Sequence, residues 1–237
     1  MKKLSYLLIL LLVGNTAFAT CRLADAQWKA KLYEKALAAY EQCSYDKNDA
    51  TAQYTLATFY LDGNEAVKQD IRHALFLFRL SAENGYAPAQ RELAKLIDTL
   101  EGLGKVGKQG LSDWKDQMEP MGFDCSIPAF SWALLAADKK ENKWFYPTEA
   151  IYDEQAADLV KTWTAKKGLE QKGLATEKAV EWKQLRLLKS AKSLLSTKEY
   201  NEFFKILTST EKGQTARSRK KEAMDKLKKK WEKKKGL

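Results

Sequence analysis

Residues 81–94 read Ser81-Ala82-Glu83-Asn84-Gly85-Tyr86-Ala87-Pro88-Ala89-Gln90-Arg91-Glu92-Leu93-Ala94, and this stretch decides the fold. Gly85 suits the left-handed cap that ends one helix. Pro88 suits the first turn of the next, where a missing N–H costs least. Upstream, Ala52-Gln53-x-x-Leu56-Ala57 is repeated as Ala89-Gln90-x-x-Leu93-Ala94 at an offset of 37, and Ala36 aligns with Ala74 at an offset of 38. A period in the upper thirties is that of stacked helical hairpins. Residues 22–100 carry apolar side chains at helical spacing with no strand-like alternation. Ala36, Ala52, Ala74, Ala82 and Ala89 fall where helices cross, and Leu56, Tyr60, Phe78 and Leu93 fill the space between them.

Asp70-x-x-His73-Ala74-Leu75, followed by the run from Ser81 to Leu93, resembles a Sel1-like repeat of the broader tetratricopeptide-like class. Leu56-Ala57-x-x-Tyr60-Leu61-Asp62-Gly63 matches the end of the preceding repeat. Ala57 and Ala94 stand where the family prefers Gly, and Ala still lets helices approach closely. Two full repeats cover roughly a third of the chain, and Pro128 to Ala137 resembles the first helix of a degenerate third. The resemblance implies an all-α fold of stacked antiparallel helix hairpins, a Sel1/TPR-like solenoid with a helical C-terminal region and a basic helical tail. It also implies adaptor or assembly roles, with a protein partner bound on the concave face. In the family pattern His73, the one histidine, takes a helix position usually given to a solvated Lys or Glu.

Residues 1–19 read as a cleavable signal peptide. Lys2 and Lys3 precede an apolar core from Leu4 to Val13, and Ala17-Phe18-Ala19 is a small-x-small cleavage pattern. The core is too short to span a bilayer, so the expectation is export to a bacterial periplasm. Phe18 and Thr20 depart from the pattern that would lipidate Cys21, which argues against a lipoprotein. Export places cysteines where disulfides form. A straight helix over 22–43 would hold Cys21 and Cys43 ~33 Å apart at ~1.5 Å per residue. The family resemblance instead puts a turn at Lys31-Leu32 and implies a Cys21–Cys43 bridge with Cys125 unpaired, although no Gly or Pro marks that turn. Cys43 with Cys125 is the alternative pairing.

The composition supports packed domains rather than a disordered or collagen-like chain: of 237 residues 45% are apolar and 11% aromatic, with 4 Pro and 12 Gly. After the repeat region (20–100), residues 101–126 read as a Gly-containing connection with a short helix around Ser112 to Met118. Residues 127–210 combine the degenerate repeat with C-terminal helices. Thr148 is a candidate cap for a helix carrying Ile151, Ala156, Leu159, Val160 and Trp163, and a second helix spans about Thr176 to Leu195. Ser196-x-x-Glu199 is a capping box for a third, with Tyr200, Phe203, Phe204 and Leu207.

The tail, 211–237, carries the charge. Residues 217–235 hold eleven Lys and Arg against Glu222, Asp225 and Glu232, a net +8, so the rest of the mature chain is near neutral. Gln214 to Lys235 reads as a helix with a narrow stripe of Ala216, Lys220, Ala223, Leu227 and Trp231. Candidate docking residues are Arg217, Arg219, Lys220, Lys221, Lys226, Lys229, Lys230, Trp231, Lys233 and Lys234. The tail is either a solvated extension or a contact for an acidic protein, anionic lipid or lipopolysaccharide; the export signal argues against nucleic acid.

Catalytic motifs are weak. Gly102-Leu103-Gly104-Lys105-Val106-Gly107 fits G-x-G-x-x-G, but a helix precedes it rather than a strand, and Gln109 stands where a P-loop needs Ser or Thr. One histidine and no close cysteine pair argue against a metal site. No nucleophile set is recognisable, no cofactor is implied, and a cell-wall hydrolase ranks last. The expectation is a non-enzymatic, periplasmic protein-interaction scaffold, with envelope-surface docking through the tail as the alternative.

Overall fold

A computed structural model of the chain describes residues 21–64, 66–105, 127–138 and 152–235. Among these residues all regular structure is helical. Helix α1 spans 21–29 and α2 spans Tyr33–Glu41, running into a π-helical turn at Gln42–Asp46. Helices α3 (Ala50–Asp62), α4 (Ile71–Glu83) and α5 (Ala87–Lys105) follow, then α6 (Ala129–Ala136), α7 (Glu154–Leu194), α8 (Thr197–Thr208) and α9 (Gln214–Lys235). Consecutive helices pack as pairs. The signal peptide, Cys125, Thr148, Ile151 and the segment around Ser112 to Met118 lie outside the described residues.

Local chemistry sets the boundaries. The Asp49 carboxylate accepts the Ala52 N–H at the start of α3, and that of Asp70 accepts the Arg72 and His73 N–H groups at the start of α4. Gly85 closes α4 with φ +85°, the conformation expected of it. Helix α5 runs through Gly102 to Lys105, so the first four residues of the Gly-rich motif lie within a helix and do not open one. A phosphate cradle needs a helix N-terminus at that point.

The repeated Ala-Gln pair has a specific job. Gln53 and Gln90 are fully buried, and each donates its amide to a carbonyl at the end of the preceding helix, Ser44 at 2.9 Å and Ala82 at 3.0 Å. Each amide thus satisfies a buried carbonyl where the helical ladder runs out; that of Ala82 also accepts the Gly85 N–H at 2.9 Å. Gln53 also donates to Asn48 Oδ1 (2.8 Å) and accepts from the Asn84 amide (3.1 Å), tying one interhelical turn to the next. Around these amides pack Ala36, Leu56, Ala74, Phe78, Ala82 and Leu93, all inaccessible. Replacing Gln53 with leucine preserves volume but strands these partners. It is expected to cost about 2 kcal/mol, read from a denaturant melt; an unchanged midpoint would mean that water replaces the amide.

Helix α1 folds back on α2 without a glycine. Lys31 itself takes the left-handed conformation, φ +59°, and the Leu32 N–H donates to the Gln27 carbonyl. The reversal stacks Trp28 on Phe59, with ring centroids 3.7 Å apart, and joins Cys21 to Cys43 in a disulfide with Cα atoms 5.8 Å apart. The pairing implied by the turn at Lys31-Leu32 is therefore formed, and the alternative with Cys125 is not.

Helix α6 lies between α5 and α7 and buries Phe130, Trp132 and Leu135. The cap of α7 is Asp153, which accepts the Ala156 N–H at 3.0 Å; this corrects the expectation of a helix opened by Thr148. Asp153 is fixed by Arg91 of α5, whose Nη1 donates to both its oxygens at 2.9 and 2.7 Å. Helix α7 is two helices meeting at Gly168, where φ is +88°. The second begins well before Thr176, because one left-handed glycine is enough to turn the chain and restart the helix. Phe130 packs on Trp163 before the corner, and Trp132 packs on Trp182 after it. Beyond this core, Ala191, Phe203 and Leu227 form a small cluster joining the end of α7 to α8 and α9.

Candidate functional site

The C-terminal helices assemble from two local signals. The Ser196 N–H donates to the Glu199 carboxylate at 2.9 Å, completing the capping box that starts α8. The stripe on α9 then faces inward: Leu227 is fully buried, Ala216 nearly so, and Lys220, Ala223 and Trp231 are half-buried. Lys230 pairs with Glu199 at 2.6 Å, and Lys220 donates to the Ser209 carbonyl at 3.1 Å. Helices α8 and α9 are thus antiparallel, and the tail is packed rather than splayed into solvent.

A groove of about 600 Å³ runs between them, with Phe203 and Ile206 of α8 and Ala223 and Leu227 of α9 at its base. Glu199 and Glu202 stand on the α8 side; Arg219, Lys226, Lys229 and Lys230 stand on the α9 side. A smaller hollow of about 460 Å³ continues it past Ile206 and Arg219 towards Ser209 and Lys220.

The ten candidate docking residues are divided by this geometry. Lys230 and Lys220 anchor the helix, while Arg219 pairs with Glu211 at 3.1 Å and Lys226 with Glu222 at 3.2 Å. Arg217, Lys221, Lys229, Lys233 and Lys234 are exposed, and Trp231 is half-buried. Lys226, Lys229 and Lys233 share the groove-side flank by their spacing of three and four residues, whereas Arg217 and Lys221 fall on the opposite flank. Ile206 and Glu202 were not singled out in the sequence. Their spacing of three from Phe203 and Glu199 is the signal that marks them as neighbours on the same face.

Charge extends beyond the tail. After Gly168 the chain has twenty Lys and Arg against nine Asp and Glu. Hydrogen bonds from Lys230 and Ser196 hold the exposed Glu199 carboxylate down at about 2. A carboxylate depressed in the folded state contributes stability above its ordinary pKa and loses it as pH falls towards the folded value. The α8–α9 contact is therefore expected to weaken between about pH 4.5 and about pH 2, with Glu199→Gln losing that dependence. Hydrogen exchange of α9 amides checks this. Equal acid sensitivity in both proteins would mean that the pair contributes nothing.

His73 is not the solvated residue the family pattern suggests. Its ring stacks on Tyr60 with centroids 4.1 Å apart, and its Nε2 lies 2.7 Å from the Tyr45 hydroxyl, presented by the π-helical turn. Burial pushes its pKa below the ordinary value against the opposing pull of Asp70 and Glu41.

Among the described residues, no group of three or more His, Cys, Asp or Glu is placed to hold a metal ion, and no helix is long and apolar enough to cross a membrane. No protein-family model, curated protein or solved structure matches the chain.

Proposed function

We propose that the protein is a non-enzymatic scaffold of an extracytoplasmic compartment. Its paired helices are Sel1-like repeats whose concave face takes a protein segment, and its basic C-terminal helices add an electrostatic contact. The observation that carries this reading is the division of the tail's cations. Some are consumed in anchoring α9, and Arg217, Lys221, Lys229, Lys233 and Lys234 remain exposed on a helix fixed to the rest of the fold. The buried amides of Gln53 and Gln90 support the repeat reading, because they give a chemical role to its most distinctive pair. The Cys21–Cys43 disulfide fits an oxidising compartment.

Removing the tail is a poor test, since it would bare Phe203 and Ala191. The better variant reverses exposed charges off the groove-side flank, Arg217→Glu, Lys221→Glu and Lys234→Glu, in residues 20–237. Capture from periplasmic and membrane fractions should retain a protein partner on both forms, more weakly on the variant and with a flatter salt dependence. Unchanged retention and salt slope would remove the tail from the reading. Complete loss would move the binding site from the repeats to the tail.

A further inference from the structure

We infer that the groove between α8 and α9 is a docking site for an amphipathic helix of a partner protein, apolar along one stripe and acidic along the flank that meets α9. The inference rests on the scaffold reading and gives its electrostatic contact a place and a partner chemistry. The base supplies the apolar half of the match through Ile206 and Ala223, which are half-buried, over Phe203 and Leu227, which are already packed in the core. Helix α8 has 12 residues, so it offers a rail about 18 Å long at ~1.5 Å per residue, the length of a three-turn helix. A helix laid there would complete a four-helix arrangement with the end of α7.

The walls supply the charge. Arg219, Lys226, Lys229 and Lys233 recur along one flank of α9; Arg219 and Lys226 pair with Glu211 and Glu222, which leaves Lys229 and Lys233 to meet an acidic partner. On the facing wall Glu199 is neutralised by Lys230, leaving Glu202 to orient the incoming helix with its acidic side towards α9. A membrane surface fits less well. Leu227 and Ala216 of the tail's apolar stripe are spent in internal packing, so α9 has little to insert among lipids, and a furrow accepts a rod better than a plane.

The test uses the chain over residues 20–237 and a fluorescein-labelled peptide of about 18 residues, with leucines at helical spacing and glutamates on one flank. Controls are a scrambled peptide, a peptide with lysines replacing the glutamates, and vesicles containing an anionic phospholipid. Anisotropy should show saturable binding, about tenfold tighter than for the scramble and weaker at about 300 mM salt than at about 50 mM. Lys229→Glu with Lys233→Glu should weaken the acidic peptide about tenfold and favour the lysine peptide, with the melting temperature unchanged. Ile206→Asp should weaken both peptides. Equal binding of the scramble, no exchange of preference in the double variant, or displacement of the peptide by the vesicles would each overturn the inference. If the acidic peptide fails while the charge-reversed chain still retains a partner, the groove assignment falls and the scaffold reading stands.

Discussion

Replacing Asp153 with alanine is expected to remove about 4 kcal/mol of stability, the largest loss from any single polar side chain considered. The side chain does two things at once. It caps α7 through the Ala156 N–H, a contribution of about 1 kcal/mol, and it neutralises Arg91. Arg91 is only 12% exposed at its side chain, and Asp153 is 7% exposed. Burial alone works against the guanidinium's charge, but the carboxylates of Asp153 and Glu92 outweigh it, and the pKa of Arg91 is held above the ordinary value. Glu92 still pairs with Arg91 at 2.9 Å once Asp153 is gone, so the ion-pair loss falls at the low end of the about 3–5 kcal/mol typical of breaking a buried pair, and with the cap it gives the predicted figure. Asp153→Asn separates the two roles, because the amide oxygen still caps the helix while the charge is gone. Chemical denaturation should place the asparagine variant between wild type and Asp153→Ala. If it matches wild type, the ion pair is energetically silent.

The second large effect is at the disulfide. Cys21 and Cys43 close a loop with a sequence separation of 22, and replacing both with alanine should cost about 3 kcal/mol in a thermal or denaturant melt. The loss should be uneven along the chain. Helix α1 spans only 21–29, too short to persist alone, and rests on Trp28 against Phe59 and on the hydrogen bond from Tyr40 to Asp25. Hydrogen exchange in the variant should therefore rise over residues 21–29 before it rises in α4 or α5. Reductant should reproduce the shift in the wild-type protein. A melting point insensitive to reductant would show that these contacts hold α1 without the bridge.

Legibility of the fold in the sequence varies with the range of the interaction that decides each feature. The helix pairs are readable because Gln53 and Gln90 do the same work, a hydrogen bond to a buried carbonyl one helix back, with the same residue at the same place. The capping box at Ser196 and Glu199 is readable because both halves lie within one turn. The start of α7 is not: Thr148 and Asp153 are both good capping residues, and the choice is made by Arg91, 62 positions away. The turn at Lys31-Leu32 is legible only through the resemblance to the repeat, because lysine there adopts a conformation normally left to glycine. In the C-terminal unit, composition marked the cations of the tail but not their division. That depends on Glu199 meeting Lys230 across 31 positions, and on Ile206 flooring a groove that neither helix has alone.

The corner at Gly168 has an electrical consequence. Residues 20–168 carry nineteen Lys and Arg against twenty-two Asp and Glu, whereas the chain beyond the corner carries twenty against nine. The chain after Gly168 first packs back on α6 through Ala175, Ala179 and Trp182, and the excess positive charge lies beyond them in a C-terminal arm of α8 and α9, so charge is unevenly distributed along the molecule. Near any anionic surface, torque would turn the arm forward before contact, and most approaches would arrive correctly oriented. The advantage lies in encounter rate rather than grip, and it fades as salt shortens the range of the field.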